Sequence, residues 1–576
     1  MTTATKTGTA IFNIKDYGAS GDKADDAQAL IQRAIDACGQ AGGGMVYVPP
    51  GDYTTGTLYL RSHVRFHLEA GATLWSSKNP EHYPQLGPAH MTPRSLFFGE
   101  NLENITLEGR GTVDGQGEYY WSDKTINDWF IYPNQLVAQK AGVPLNRAFP
   151  TENSVGHLVL LLSCKDVRIE NLNFLHSPSW TMHLYGCERV VIDGIYIYTS
   201  MRDGVWADGI DPDGCKDMRI SNCTINTGDD ALVFYSMNWY GPALPCENIT
   251  VTNCRLSSSS SAIKFCDGNM ASVRNVLVDN CLLTGSNRGI AVMLFDGGLV
   301  ENVVFSNLVI ETQRFDWFWW GDGDPIHFNL VQRSEIDPTL DAATQPLPGT
   351  VRNMTFSNIV AHGPGPCKIH GHVNSLLENI TFDNVRLTVD ADPEAPWHKA
   401  PVAMTIENAR NFRLNDVKII WEGPTSSHWE SALVVNNVMG LVVDGLSARQ
   451  AANDTKAAAV VLNNVAGAVI RNSEAQPGTG TFLQVQGAGT RDVVLWGNDL
   501  RQAAKPVQVG AGASRKAVQD GWSKPAQAAL KAAATRPAAK KAAARRPAAK
   551  KAAVKPAVAK NAAKGKRRSA KSTGRR

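Results

Sequence analysis

The sequence predicts an all-β chain wound as a right-handed parallel β-helix, with an N-terminal capping helix and a disordered basic C-terminal tail. Three observations carry this. A short strand-and-turn frame recurs along the chain, asparagines hold one position in it, and no copy leaves room for a ten-residue helix.

The frame reads "CKDVRIENLNF" from 164, "CERVVIDGIYI" from 187, "CKDMRISNCTI" from 215 and "CENITVTNCRL" from 246. It continues as "VRNVLVDNCLL", "VENVVFSNLVI", "VRNMTFSNIVA" and "LENITFDNVRL" from 273, 300, 351 and 377. From 164 to 300 the copies step by 23 to 31 residues. Each alternates apolar and polar residues and then meets Asn or Gly, the signature of a strand and a tight turn. Parallel strands that recur without crossover helices must wind around an axis. Asn171, Asn222, Asn253, Asn280, Asn307, Asn358 and Asn384 share one position. Asn tolerates the left-handed backbone of such a turn and can bond to its equivalent one coil away. The N-x-[ST] matches, Asn248 among them, follow from this frame and read as structural.

Cys164, Cys187, Cys215 and Cys246 open units, and Cys223, Cys254 and Cys281 follow the turn Asn, with Cys266 nearby. Stacked buried thiols explain them; no C-x-x-C pair suggests zinc. A solenoid end needs a cover. "DDAQALIQRAIDACG" supplies a helix, with Leu30, Ile31, Ala34, Ile35 and Cys38 on one face. Asp25 and Gln28 form a capping-box pattern, and Gly39 marks its end. The "GGG" at 42–44 lacks any phosphate-loop continuation and reads as a turn.

The charge divides the chain. Residues 521–576 hold 18 Lys/Arg and no acid, which leaves 39 basic and 54 acidic side chains in 1–520. The tail has little to bury and reads as disordered, either an electrostatic arm for a polyanion (nucleic acid or an acidic polymer) or a solubilising extension. The predicted organisation is a flexible start at 1–10, one β-helix catalytic domain at 11–510 and the tail at 511–576. There is no run of ~18 apolar residues for a membrane span and no apolar h-region at the N-terminus, which predicts a cytoplasmic address.

"ADGIDPDG" and "INTGDDALVFYS" bring three acids into consideration. Asp208 precedes Asp229 and Asp230 by 21 and 22 residues, about one coil, so it belongs beneath the pair on one outer face. Strict alternation would point the adjacent pair to opposite sides; Gly228 makes a bend there cheap. Crowded carboxylates push their pKa values apart, as a general acid and a water-activating base require. Asp211, Asp213 and Asp217 read as turn caps. "DGIDPDG" lacks the glutamate that closes a calcium loop, so no metal and no cofactor are expected.

These segments resemble glycoside hydrolase family 28, the polygalacturonase family. "FNIKDYGASGD", "GGGMVYVPPGDY" and "GTLYLRSHVRFHLEAGATL" are similar to its entry segment, which other β-helix proteins share. "SPSWTMHLYGCERVVIDG" and "ADGIDPDGCKDMRISNCTINTGDDA" are closer to this family alone, and the resemblance spans about 11–450. It implies inverting hydrolysis of a pectin-like or related oligosaccharide, with Asp229 as general acid and Asp208 and Asp230 deprotonating water. Three positions depart from the family pattern. Trp206-Ala207 stands for Asn-Thr, Ser260 for the family His, and Ala291 and Met293 for two cations. Lys264 and Arg288 could compensate for those cations; otherwise the substrate is a neutral or differently decorated glycan. His183, Trp206 and Tyr235 are candidate sugar contacts beside the acids, and Trp239, Tyr240, Trp317, Trp319 and Trp320 are further aromatic candidates. The alternatives are a non-catalytic glycan-binding β-helix and a polysaccharide lyase; no Arg/Lys–Asp cluster favours the lyase.

Overall fold

The computed structural model describes residues 10–86, 94–122, 149–150, 156–265, 268–315, 321–336, 340–390, 402–423, 429–451 and 456–520. Residues through Gly521 form one compact unit. Forty strands join in one parallel sheet system, a right-handed parallel β-helix. A second, two-stranded sheet pairs Trp121–Ser122 with Phe149–Pro150 antiparallel.

A central coil has three strands. Lys165–Glu170, Asn173–Leu175 and Met182–Tyr185 pair with Glu188–Asp193, Tyr196–Tyr198 and Ile210–Asp213 of the next coil. The third strand of each coil matters here. We label these β1 (His157–Leu162), β2 (Met182–Tyr185), β3 (Ile210–Asp213) and β4 (Leu232–Phe234). They continue as β5 (Ser261–Phe265), β6 (Arg288–Leu294), β7 (Asp324–Leu330) and β8 (Cys367–His370).

Alternation in each strand sends one set of side chains into the core. Met182, Leu184, Ile210, Leu232 and Phe234 belong to the continuous core. In-register stacking turns equivalent positions into columns. Phe305, Phe356, Phe382 and Phe412 stack at ring-centroid separations of 5.0, 4.6 and 5.8 Å. The described cysteines are all buried and form no disulfide. Cys266 lies outside the described residues.

All seven turn asparagines have positive φ, between 51° and 60°. Asn253 donates to Asn222 at 3.3 Å, Asn280 to Asn253 at 2.6 Å and Asn384 to Asn358 at 2.8 Å. The structure adds a second ladder that the sequence reading did not separate from the first. Asn275 donates to Asn248, Asn302 to Asn275 and Asn353 to Asn302 at 3.0–3.2 Å, again from left-handed backbone. Asn248 thus has a structural occupation, as expected, and Asp217 heads this ladder by accepting from it at 2.9 Å.

The capping helix α1 runs Gln28–Gln40 and buries Ile31, Ala34, Ile35 and Cys38. The capping box does not form. Ala27 is the N-cap, with no side-chain cap, and Asp26 rather than Asp25 accepts from the Gln28 N–H. Gly39 lies inside the helix, not at its end. The coils also continue past the predicted boundary at 510: Val518–Asp520 still pairs in parallel with Val493–Leu495. No helix among the described residues is long and apolar enough to cross a membrane.

The ladder makes a testable claim. Replacing Asn280 with Ala should cost about 1–2 kcal/mol, because Ala resists left-handed backbone, and the ladder bond goes too. Asn280→Gly should recover most of the backbone cost. Urea unfolding of both variants checks the order.

Candidate active site

Ile210 of β3 pairs with Leu232 of β4, and Asp208 and Asp230 each stand two residues before those positions. The register therefore stacks Asp208 one coil from Asp230, as the 22-residue spacing requires. One oxygen from each of Asp208, Asp229 and Asp230 lies within 4.8 Å of the others. The expectation of an open, solvent-facing cluster needs correction: the three residues are only 3%, 4% and 1% exposed.

Gly228 acts differently from the bend expected of it. Its backbone is not among the left-handed positions. A Cβ there would lie 2.2 Å from the Ser200 carbonyl and 2.4 Å from that of Gly204. The glycine admits the neighbouring loop against the acid pair.

The acids are held by a surface that the sequence reading missed. The serine run of "CRLSSSSSAIKF" lies one coil above them. Ser258 donates to the Asp229 carbonyl at 2.6 Å and Ser259 to the Gly228 carbonyl at 2.6 Å. Ser260 Oγ and the Ser261 N–H donate to Asp230 Oδ1 at 2.7 and 2.8 Å. Lys264 Nζ donates to Asp230 Oδ2 at 2.9 Å. Five consecutive serines in a strand frame were the available signal. Lys264 is thus committed to Asp230 and sits 6% exposed, rather than reaching out for substrate as expected.

Asp229 Oδ1 accepts from the Asp230 N–H at 3.0 Å, and Oδ2 from the Trp206 N–H at 3.1 Å. Trp206 makes that bond from left-handed backbone, φ 60°, which a bulky residue holds only where its surroundings demand it. Its side chain is 37% exposed. Burial, then the charges of Asp229, Asp211 and Asp230, push the Asp208 carboxyl well above its usual pKa. Its Oδ1 is buried and accepts no hydrogen bond among the described residues.

Asp211 and Asp213 were expected to cap turns, and the structure places both inside β3 instead. Asp211 is fully buried, and neither oxygen is hydrogen-bonded among the described residues; burial and then Asp230 raise its pKa well above the carboxylate range. Asp213 accepts from the Met237 N–H at 2.8 Å and lies 3.3 Å from His183 Nε2. Burial pushes Asp213 up to about 7 and His183 down to about 3, so near pH 6 this contact joins two neutral groups.

His183 is fully buried. Its ring lies between Trp180, Trp239 and Tyr240, at 4.9, 5.7 and 5.3 Å. It is a wall residue here, not the sugar contact expected. Tyr235, 6% exposed, stacks on Trp180 at 5.1 Å and likewise belongs to the wall. Arg288 is 5% exposed, 3.9 Å from Asp324 Oδ2, and does not reach out as a surface cation. Trp317, Trp319 and Trp320 lie outside the described residues.

The wall has a direction. The outward side chains of β1 to β4 and the following turn are Leu160, Leu162, His183, Tyr185, Asp211, Asp213, Val233 and Tyr235. None is more than 6% exposed. They are roofed by Leu86, Trp180, Trp239, Tyr240 and Leu244, in clusters separate from the core. Past the acids the face stays closed over β5 and β6, where Lys264, Ala291 and Met293 are at most 6% exposed, and opens at β7 and β8, where Asn329, Lys368 and His370 are only half-buried. A groove of about 660 Å³ on another sheet, lined by Asp166 and Arg189 among others, offers no comparable acid cluster. Its Asp166 and Arg189 are paired at 2.7 and 2.8 Å.

The fold and the relatives define a β-helix glycosidase. Residues 148–315 match the model of glycosyl hydrolases family 28, and 11–66 match that of rhamnogalacturonase A/epimerase, pectate lyase-like. A probable polygalacturonase of Vitis vinifera is 26% identical over 408 residues, 67% of this chain and 76% of that one. An exo-poly-alpha-D-galacturonosidase of Dickeya chrysanthemi is 28% identical over 267 residues, 41% of this chain and 43% of that one. The fold is similar to that of an exopolygalacturonase from Thermotoga maritima, with TM-score 0.57 and 23% identity, covering 73% of this chain and 93% of that one. Over residues 148–315 the chain is thus similar to glycosyl hydrolases of family 28.

The buried carboxyls predict a pH-dependent stability. With its folded pKa raised, Asp211 binds more protons folded than unfolded, so its contribution falls as pH rises above its unfolded value near 3.8. Asp211→Asn should therefore raise Tm at pH 8, with the gain shrinking towards pH 4. Scanning calorimetry at both pH values checks this; a gain independent of pH would contradict it.

Proposed function

We propose that the protein hydrolyses a pectin-like glycan at the cluster of Asp208, Asp229 and Asp230, with inversion, from one chain end. The observation that carries this is the convergence of three carboxyl oxygens within 4.8 Å of one another. Burial and mutual repulsion keep a proton in such a cluster while its neighbours accept hydrogen bonds, and that proton belongs to the group rather than to one residue. Family resemblance supports Asp229 as the donor to the leaving oxygen. Asp208 and Asp230 then take the proton of the attacking water, with Lys264 and Ser260 fixing the Asp230 carboxylate in place. The relatives named polygalacturonase support a pectin-like substrate.

Inversion rests on the resemblance. The nearest oxygens are closer than the ~6.5–9.5 Å usual between inverting carboxyl groups. Action from a chain end rests on the roof over β1 to β4: a polymer passing through the site in both directions would have to displace Trp239 and Tyr240.

The tail 521–576 lies outside the described residues. Its 18 cations and lack of acids support attachment to an acidic polymer, whether substrate or nucleic acid. Deleting it should abolish salt-sensitive retention on an immobilised polyanion without changing turnover of short oligosaccharides; unchanged retention would remove this role.

One set of assays tests the main reading. Asp229→Asn, Asp208→Asn and Asp230→Asn should each lower kcat by about 10²–10⁴-fold. Proton NMR of fresh product should show the anomer opposite to the substrate linkage. Viscosity should fall slowly relative to reducing-end release, as chain-end attack requires. Full activity in the Asn variants would refute the site. Retention, or rapid loss of viscosity, would refute the stereochemistry or the chain-end mode separately.

A further inference from the structure

We infer that the sugar subsite beyond the acids, on the β5 to β8 side and open at β7 and β8, takes an uncharged ring, a neutral sugar or an esterified uronate, in preference to a free uronate. This deepens the glycosidase reading and rests on it.

The register defines the surface. Lys264, Ala291, His327 and Lys368 are successive partners across β5, β6, β7 and β8 and form one outward column. Beside it, Ser261, Arg288 and Asp324 are partners at the strand starts, in line with Asp230. A carboxylate-binding subsite here would need a cation whose charge is not already spent. Lys264 is bonded to Asp230 at 2.9 Å. Arg288 faces Asp324 at 3.9 Å, and Lys368 faces Asp322 at 3.7 Å. Burial, then the Arg288 charge, pushes His327 down to about 3, so it brings no positive charge. Among the described residues, three cations here stand against three carboxylates, with Asp208, Asp211 and Asp229 adding only acid nearby.

A bound uronate would have to draw a cation away from its partner. That strands a buried carboxylate: Asp230 and Asp324 are each 1% exposed. Leaving such a charge without its partner is costly. A neutral ring meets no such conflict. Ala291, Met293 and Phe295, each at most 6% exposed, pack with Val331 in an apolar cluster beneath this face. Asp324 Oδ1, buried and without a hydrogen bond among the described residues, is an acceptor suited to a sugar hydroxyl. The partner oxygen already accepts from His327 Nδ1 at 3.0 Å, which fixes the carboxylate plane. Apolar floor, vacant acceptor and balanced charge are the features of a site for hydroxyls and ring faces.

The test uses the full chain with three oligosaccharides of one length: galacturonate oligomers, their methyl esters and their carboxyl-reduced forms. Initial rates are followed by reducing-end release at low and high salt, and binding by calorimetry. The inference expects the uncharged forms to be hydrolysed at least about tenfold faster than the free acid. It also expects salt to speed hydrolysis of the acid, because screening weakens repulsion. Preference for the free acid, with KM rising as salt is added, would overturn it. If none is hydrolysed, the hydrolase reading fails, and binding still decides the inference. Tighter binding of the uncharged forms sustains it, and tighter binding of the acid defeats it.

Discussion

In-register parallel pairing is the constraint on which the rest of this molecule depends. Residues about one coil apart in sequence become neighbours in space, and everything chemical follows from which residues meet. Ile210 against Leu232 sets Asp208 beside Asp230. The Ser261–Arg288–Asp324 and Lys264–Ala291–His327–Lys368 columns continue the same arithmetic on later coils. A slip of one residue on one coil would turn its outward chemistry into the core. The two asparagine ladders oppose such slips, since each rung bonds to the rung below and each sits in backbone that few residues adopt.

The same stacking creates an electrostatic burden. Five carboxyls, Asp208, Asp211, Asp213, Asp229 and Asp230, crowd two coils and are all at least 96% buried. The protein disperses that burden in three ways. Lys264 neutralises one of them. Serine hydroxyls and backbone N–H groups fill the acceptors of Asp230. Burial raises the pKa of Asp208, Asp211 and Asp213, which lets them carry protons instead of charge. A cluster that holds a proton under strain is poised to deliver one, and the stability it costs is the ordinary exchange between folding and function.

Much of this was legible in the sequence, because a solenoid writes its geometry as a spacing. The frame from 164 onward, the turn asparagines and the 22-residue interval between Asp208 and Asp230 each had one structural meaning, and the structure bears it out. What was hidden depends on contacts between segments without a fixed interval. The loop after β4 carries Trp239 and Tyr240 back over β2, so His183 and Tyr235 became wall rather than cleft. Asp211 and Asp213 looked like turn residues because Gly and Pro surround them, yet β3 runs straight through the proline. The Asp25 capping box failed because the N-cap is Ala27, two residues later, with Asp26 accepting from the Gln28 N–H. Lys264 and Arg288 stood in the right neighbourhood, but a linear sequence does not reveal that their charges are already engaged.

A neutron diffraction map of the cluster, recorded near pH 7 after exchange into heavy water, addresses the core of this account most directly. Deuterium on one carboxyl of the cluster is expected, with an Nζ–D of Lys264 directed at Asp230 Oδ2 and the three acids gathered together. Three bare carboxylates, or acid oxygens dispersed to different faces, would contradict this.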